Sequence, residues 1–108
     1  MVNVHTGEVM SGNIVVENGV VAGVGTEYDD AHQIIDIAGC YVAPGFIDAH
    51  IHIESSMLPV NEFARLALIH GTTTVVADPH EIVNVMGVEG IRYLLNSTAK
   101  IPLNVYLM

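Results

Sequence analysis

The stretch Thr72 to Ala77, TTTVVA, carries no charge and is β-branched at every position but the last. It has no polar face to turn to water, so it reads as a parallel strand buried on both sides. A parallel strand requires crossover connections, and the surrounding sequence supplies them. Before it, GFIDAHIHI predicts a strand near Phe46 to His52. PVNEFARLALIHG then predicts a helix opened by Pro59 and ended by Gly71, with Phe63, Leu66, Ala67 and Ile69 on its apolar face. After it, NVMGVEGIRYLLNSTAK predicts a single second helix weakened by Gly87 and Gly90, and IPLNVYLM a third strand near Leu103 to Leu107. Strand, helix, strand, helix, strand is the order of consecutive right-handed βαβ units, with the helices on one face of a parallel sheet. From Pro44 onward the fold class is therefore α/β. An apolar parallel strand left as a bare sheet edge at Met108 would invite aggregation, so the sequence is expected to be a piece of a longer protein.

Residues 1–43 follow a different grammar. HTGE, SGN, ENG and AGVG separate short apolar pieces, and Asn18-Gly19 between two β-branched runs signals a tight hairpin, because both residues tolerate positive φ. This front part predicts a small antiparallel β unit. Cys40 is the only cysteine, which rules out an internal disulfide and suits a reducing compartment; it is expected to be a small buried residue. Three Lys and Arg against twelve Asp and Glu give a formal charge of −9, which repels phosphate backbones and anionic lipids. Neither nucleic acid nor membrane is an expected partner. No apolar run reaches membrane-span length and no basic leader opens the chain, so a soluble cytoplasmic protein is the expectation.

The chemistry sits where strands end. In an extended strand His50 and His52, with Asp48 before them and Glu54 after them if the extension persists, point to one face. Two imidazoles on one face at the C-terminal end of a parallel strand can hold one metal ion. The competing reading, two histidines exposed on a strand, is outweighed by the flanking PGFID and ESS. A second cluster, Asp78, His80 and Glu81 in ADPHEI, lies just past the buried TTTVVA strand and brings further hard or borderline ligands to the same rim. Its competing reading is a turn at Asp78-Pro79 with Glu81 or Asn84 capping the next helix. His5, His32 and His70 stand alone, and His70 is expected to complement a helix dipole. His52-Ile53-Glu54 supplies half of the cytidine-deaminase zinc signature, but the two cysteines that must follow are missing. A jelly-roll H-x-H protein would not alternate helix and strand after Pro59, and there is neither a phosphate loop nor a Gly-x-Ser-x-Gly elbow.

YVAPGFIDAHIHIESSM resembles the first barrel strand of the amidohydrolase superfamily. Together, HIHIESSML and HGTTTVVADPHEIVNVMGVEGIRYLL are similar to its adenine-deaminating family over nearly the whole chain. The resemblance implies that residues 44–108 form the first three strands and two helices of a TIM-type (β/α)8 barrel and that residues 1–43 form part of a small β-sandwich. It implies that His50 and His52 hold the more buried of two divalent metals, manganese in the first place with iron or zinc as alternatives. Glu54, Asp78, His80 and Glu81 are then candidates for an additional metal or for purine contacts. The implied reaction of the complete enzyme is attack on C6 of adenine by a metal-bound hydroxide, giving hypoxanthine and ammonia, and the complete enzyme is expected to be a homo-oligomer. The family's later carboxylate and histidine ligands and its proton-shuttling aspartate have no counterpart here, so these 108 residues alone are expected to be inactive. The alternatives are another cyclic amidohydrolase, of dihydroorotase or hydantoinase type, and a non-catalytic metal-binding domain.

Overall fold

The computed structural model describes residues Met1 to Met108. They fall into two compact units, Met1–Pro44 and Gly45–Met108.

The first unit contains one hairpin, β1 (Asn13–Glu17) and β2 (Val20–Gly25), paired antiparallel with a register shift between Val15 and Val16. Its turn is the expected Asn18-Gly19, with φ of 51° and 78°. Positive φ at both central residues matches the right-handed twist of the flanking strands. An isolated bridge joins Val2 to Val9, and the Val2 amide donates to the Val42 carbonyl at 2.7 Å. No residue of this unit is buried. Cys40 is exposed, contrary to expectation, because it follows the Ala38-Gly39 turn on a segment that buries nothing.

The second unit is a three-stranded parallel sheet in the order β3 (Phe46–Ile51), β4 (Thr72–Ala77), β5 (Asn104–Leu107). The three expected strands are thus present, parallel and adjacent, with the TTTVVA strand central. Between β3 and β4 the chain makes a 3-10 turn over Glu54–Ser56 and the helix α1 (Val60–Ile69). Between β4 and β5 there are two helices, α2 (His80–Met86) and α3 (Val88–Thr98), where one was expected. The break is Gly87, whose φ of 60° and ψ of −142° lie outside helical space and in a region that glycine alone occupies readily. Gly90 does the opposite of weakening the structure. A Cβ there would lie 3.0 Å from the Ile82 carbonyl oxygen, so glycine is what lets α3 approach α2.

The core consists of Ile53, Val60, Ala64, Val75, Ala77, Leu94 and Leu103. Alternate residues of β4, Val75 and Ala77, face α1 and α3, while Phe46 and Tyr106 of the neighbouring strands stay largely exposed. The apolar stripe of α1 runs through Val60, Phe63, Ala64, Ala67 and Leu68. That is the i, i+3, i+4, i+7, i+8 pattern of a helix packed on one side. The expected stripe was rotated from this one: Phe63 and Ala67 belong to it, whereas Leu66 and Ile69 point outward. Gly71 closes the helix as anticipated, with φ of 88° and its amide bonded to the Leu68 carbonyl at 3.0 Å.

Candidate metal centre

The C-terminal ends of β3 and β4 lie side by side because the ladder continues past both strands. The Asp78 amide donates to the Ile51 carbonyl at 2.9 Å, which sets His52 directly beside Asp78. β3 is not a uniform strand. Asp48 pairs with Val75 and Ile51 with Ala77, so Ala49 and His50 together stand opposite Val76. A bulge of this kind re-aims side chains at the rim of a sheet. The simple alternation expected for Asp48, His50, His52 and Glu54 is therefore interrupted. Asp48 accepts the His50 amide at 3.1 Å, a local bond and not a contact to an imidazole. Glu54 is not in a strand at all, since the chain turns helical at Ile53.

Even so, the two histidines converge. His50 Nε2 and His52 Nε2 are 3.2 Å apart. Nitrogens at ordinary ligand distances of about 2.1 Å from one ion would subtend ~100° there, between the octahedral and tetrahedral angles. The protonation of His52 follows from its partner. Its Nδ1 lies 3.0 Å from the Asp78 carbonyl oxygen, which can only accept, so Nδ1 carries a proton, and in the neutral ring the lone pair is on Nε2. A ligating histidine is ordinarily held in this way by its other ring nitrogen. His50, His52 and Asp78 place ligand atoms within 4.8 Å of one another, a group that could hold a metal ion.

The ADPHEI segment sits on the same rim. Asp78 follows β4 directly, and His80 and Glu81 are the first residues of α2, whose N-cap is Pro79 with no side-chain cap. Neither Glu81 nor Asn84 caps the helix. Asp78 Oδ1 accepts the His80 amide at 3.1 Å and Oδ2 the His80 ring Nδ1 at 3.0 Å. The carboxylate's hydrogen bond to the ring holds Asp78 below its ordinary pKa and raises His80 above its own. The His80 ring stands edge-on to that of His52, with centroids 4.7 Å apart, and His52, His80 and Glu81 form a second group within 4.8 Å.

Two features of the rim escaped the sequence reading. Ser55 Oγ donates to Glu81 Oε1 at 2.7 Å, and the Ile82 amide donates to Glu54 Oε1 at 3.1 Å. Both join the 3-10 turn after β3 to the start of α2, and the polar Glu-Ser-Ser one residue beyond H-x-H is their only signal in the sequence. Glu54 Oε2 is buried and has no hydrogen-bond partner. His5, His32 and His70 take no part in the rim; His70 is the C-cap of α1.

Residues 41–108 match the Amidohydrolase family. The chain is 55% identical over 106 residues to the adenine deaminase of Thermosipho africanus (strain TCF52B), which covers 98% of this chain and 18% of that protein. It is 53% identical over its full length to the adenine deaminase of Kosmotoga olearia and 49% identical to that of Listeria monocytogenes serotype 4b, in each case covering 18% of the relative. The chain thus spans about a fifth of the length of the curated relatives it matches. No helix is long and apolar enough to cross a membrane. The family match takes in the whole parallel sheet and every histidine and carboxylate of the rim, and on that ground the chain belongs to the amidohydrolase family.

Proposed function

We propose that this chain is the front part of an adenine deaminase and that His50 and His52 are ligands of its divalent metal. The observation that carries the metal assignment is the 3.2 Å approach of the two Nε2 atoms, with His52 locked in the ligating tautomer by the Asp78 carbonyl. The substrate assignment rests on the adenine deaminases that the chain matches over 98% to 100% of its length. On this reading residues 44–108 are the start of a (β/α)8 barrel and residues 1–43 part of a small β-sandwich. The open side of the rim then faces the barrel mouth, where such enzymes keep their chemistry.

The donor set fits a metal of the manganese, iron or zinc type, since imidazole with carboxylate suits those ions better than magnesium or calcium. A divalent ion bound there supplies Lewis acidity, which makes a proton easier to remove from water near neutral pH. His50 and His52 fix the ion at the strand ends, and the Asp78 carbonyl fixes His52. The reaction replaces the C6–N bond of adenine with a C6–O bond, consuming water and releasing ammonia and hypoxanthine. The 108 residues offer the ion two imidazoles and nearby carboxylates, and we expect them alone not to turn adenine over. Cytoplasmic location is an expectation from the sequence, and homo-oligomeric assembly of the complete enzyme one that rests on the family resemblance.

The test is to load the full-length protein with Mn2+ and incubate it with adenine, dihydroorotate and hydantoin, following ammonia and product by chromatography. Hypoxanthine with stoichiometric ammonia, from adenine only, is the expected result. Ring opening of a lactam without reaction of adenine would transfer the protein to the cyclic amidohydrolases.

A further inference from the structure

Glu54 and Ser55, just beyond H-x-H, stand in neither group of ligating atoms on the rim, yet each bonds to the first turn of α2. Glu54 Oε1 accepts the Ile82 amide at 3.1 Å and supplies the cap that Pro79 cannot give. Ser55 donates to the residue before it, Glu81. Tethers from two successive residues to two successive residues hold that turn against both sliding and rotation. Packing does less there, because α2 has no buried residue and meets the core through the half-buried Ile82.

The turn that makes these tethers is itself fixed. Ile53, 1% exposed, anchors it in the core. The Ser55 and Ser56 amides donate to the His52 and Ile53 carbonyls at 3.2 and 3.1 Å, and the Met57 amide, at a φ of 57°, closes on the Glu54 carbonyl at 3.0 Å. Ser55 is thereby bonded through its backbone to His52 and through its hydroxyl to Glu81 Oε1 at 2.7 Å. Glu81 needs such a partner. Its carboxylate belongs to the second group of ligating atoms, with His52 and His80, but ends a flexible side chain that would spread over several rotamers if nothing held it. A short serine side chain on a fixed turn removes that freedom, and a hydroxyl bonded to a carboxylate makes one of the stronger, charge-assisted hydrogen bonds. We propose that Ser55 is a positioning residue of this site: it acts through Glu81, holding the carboxylate at the rim on a helix turn that Glu54 keeps in place.

The reaction that Ser55 serves is the one proposed above, and the test separates the two assignments. Full-length wild type, Ser55→Ala, Ser55→Thr, Glu81→Ala and the double variant Ser55→Ala/Glu81→Ala are loaded with saturating Mn2+ and assayed with adenine. Ser55 is exposed, so its variants should keep the fold, which circular dichroism checks. Ser55→Ala is expected to lower kcat/KM roughly 10- to 100-fold, the range for losing a partner that orients a site residue, and Ser55→Thr, which keeps the hydroxyl, to restore most of it. Because Ser55 acts through Glu81, the double variant should be no slower than Glu81→Ala alone. Losses that multiply in the double variant would overturn the proposal, as would an undiminished Ser55→Ala or a Ser55→Thr as slow as Ser55→Ala. A wild type that leaves adenine untouched would remove the proposed function only. Ser55 is then judged from crystal structures of full-length wild type and Ser55→Ala: a Glu81 carboxylate displaced in the variant supports the assignment, and one that keeps its place overturns it.

Discussion

Replacing His52 with alanine removes one of two nitrogens that lie 3.2 Å apart and breaks the 3.0 Å bond to the Asp78 carbonyl. The two losses can be separated. Removing a residue that merely supports a metal ligand costs up to about 100-fold in affinity, so removing the ligand itself should cost at least that much. A factor of ~100 is about 2.7 kcal/mol of binding free energy. The hydrogen bond is a structural matter, worth about 0.5–1.5 kcal/mol with or without metal. In denaturant or thermal unfolding of the full-length protein, His52→Ala should therefore be slightly destabilised without metal. The added stability that Mn2+ confers on the wild type should fall by at least ~2.7 kcal/mol at a fixed concentration far above the dissociation constants of both proteins. Direct titration should show the same weakening. His70→Ala is the control: it caps α1 away from the rim and should leave metal affinity unchanged. Equal Mn2+-dependent stabilisation of His52→Ala and wild type would refute the ligand assignment, as would an equal loss in His70→Ala.

Three further outcomes follow from the geometry. His80 is raised above its ordinary pKa of 6.5 by its bond to Asp78, so its contribution is complete below about pH 6.5 and fades as pH rises through the folded value; Asp78 is lowered from 3.8, so its contribution is present above about pH 3.8 and is lost on acidification. The stability difference between metal-free wild type and Asp78→Asn should therefore be widest between those limits, and a flat difference across the range would count against the pair. Gly45→Ala would drive a methyl group into the side chain of Thr73, which is β-branched and cannot swing aside; a loss of roughly 1–3 kcal/mol is expected, largely recovered in Gly45→Ala with Thr73→Gly, as read by urea unfolding. Leu94→Ala empties a position 2% exposed in the centre of the sheet–helix core and should cost about 2–5 kcal/mol by the same measurement.

The parallel sheet was legible because TTTVVA has no polar face, and the hairpin because Asn18-Gly19 can hold positive φ twice in succession. What the sequence hid depended on single residues in particular surroundings. Gly87 and Gly90 look alike as helix weakeners, yet one ends a helix and the other lets two helices touch, and only their neighbours distinguish them. The stripe on α1 was misplaced because Leu66 and Ile69 are as apolar as the residues that pack, while small Ala64 does the packing. At the rim, His50, His52, Asp78, His80 and Glu81 could be nominated from their chemistry and their place at strand ends. The bulge opposite Val76 could not be nominated, since nothing in AHIH marks it. The tethers from Ser55 and Glu54 to α2 join residues more than twenty-five positions apart, a separation no local pattern reports.

The break at Gly87 divides the crossover into pieces that answer to different forces. α3 is anchored in the core by Gly90 and Leu94, whereas α2 has no buried residue. Amide hydrogens of α2 should therefore exchange with solvent by local opening, well before those of α3, whose exchange should need the unit to unfold. An interruption of one residue thus confines breathing to the seven residues that begin with His80 and Glu81. The seating of that segment is left to the tethers from the turn after β3 and to whatever occupies the rim, so a ligand there should slow exchange in α2 and leave α3 as it was.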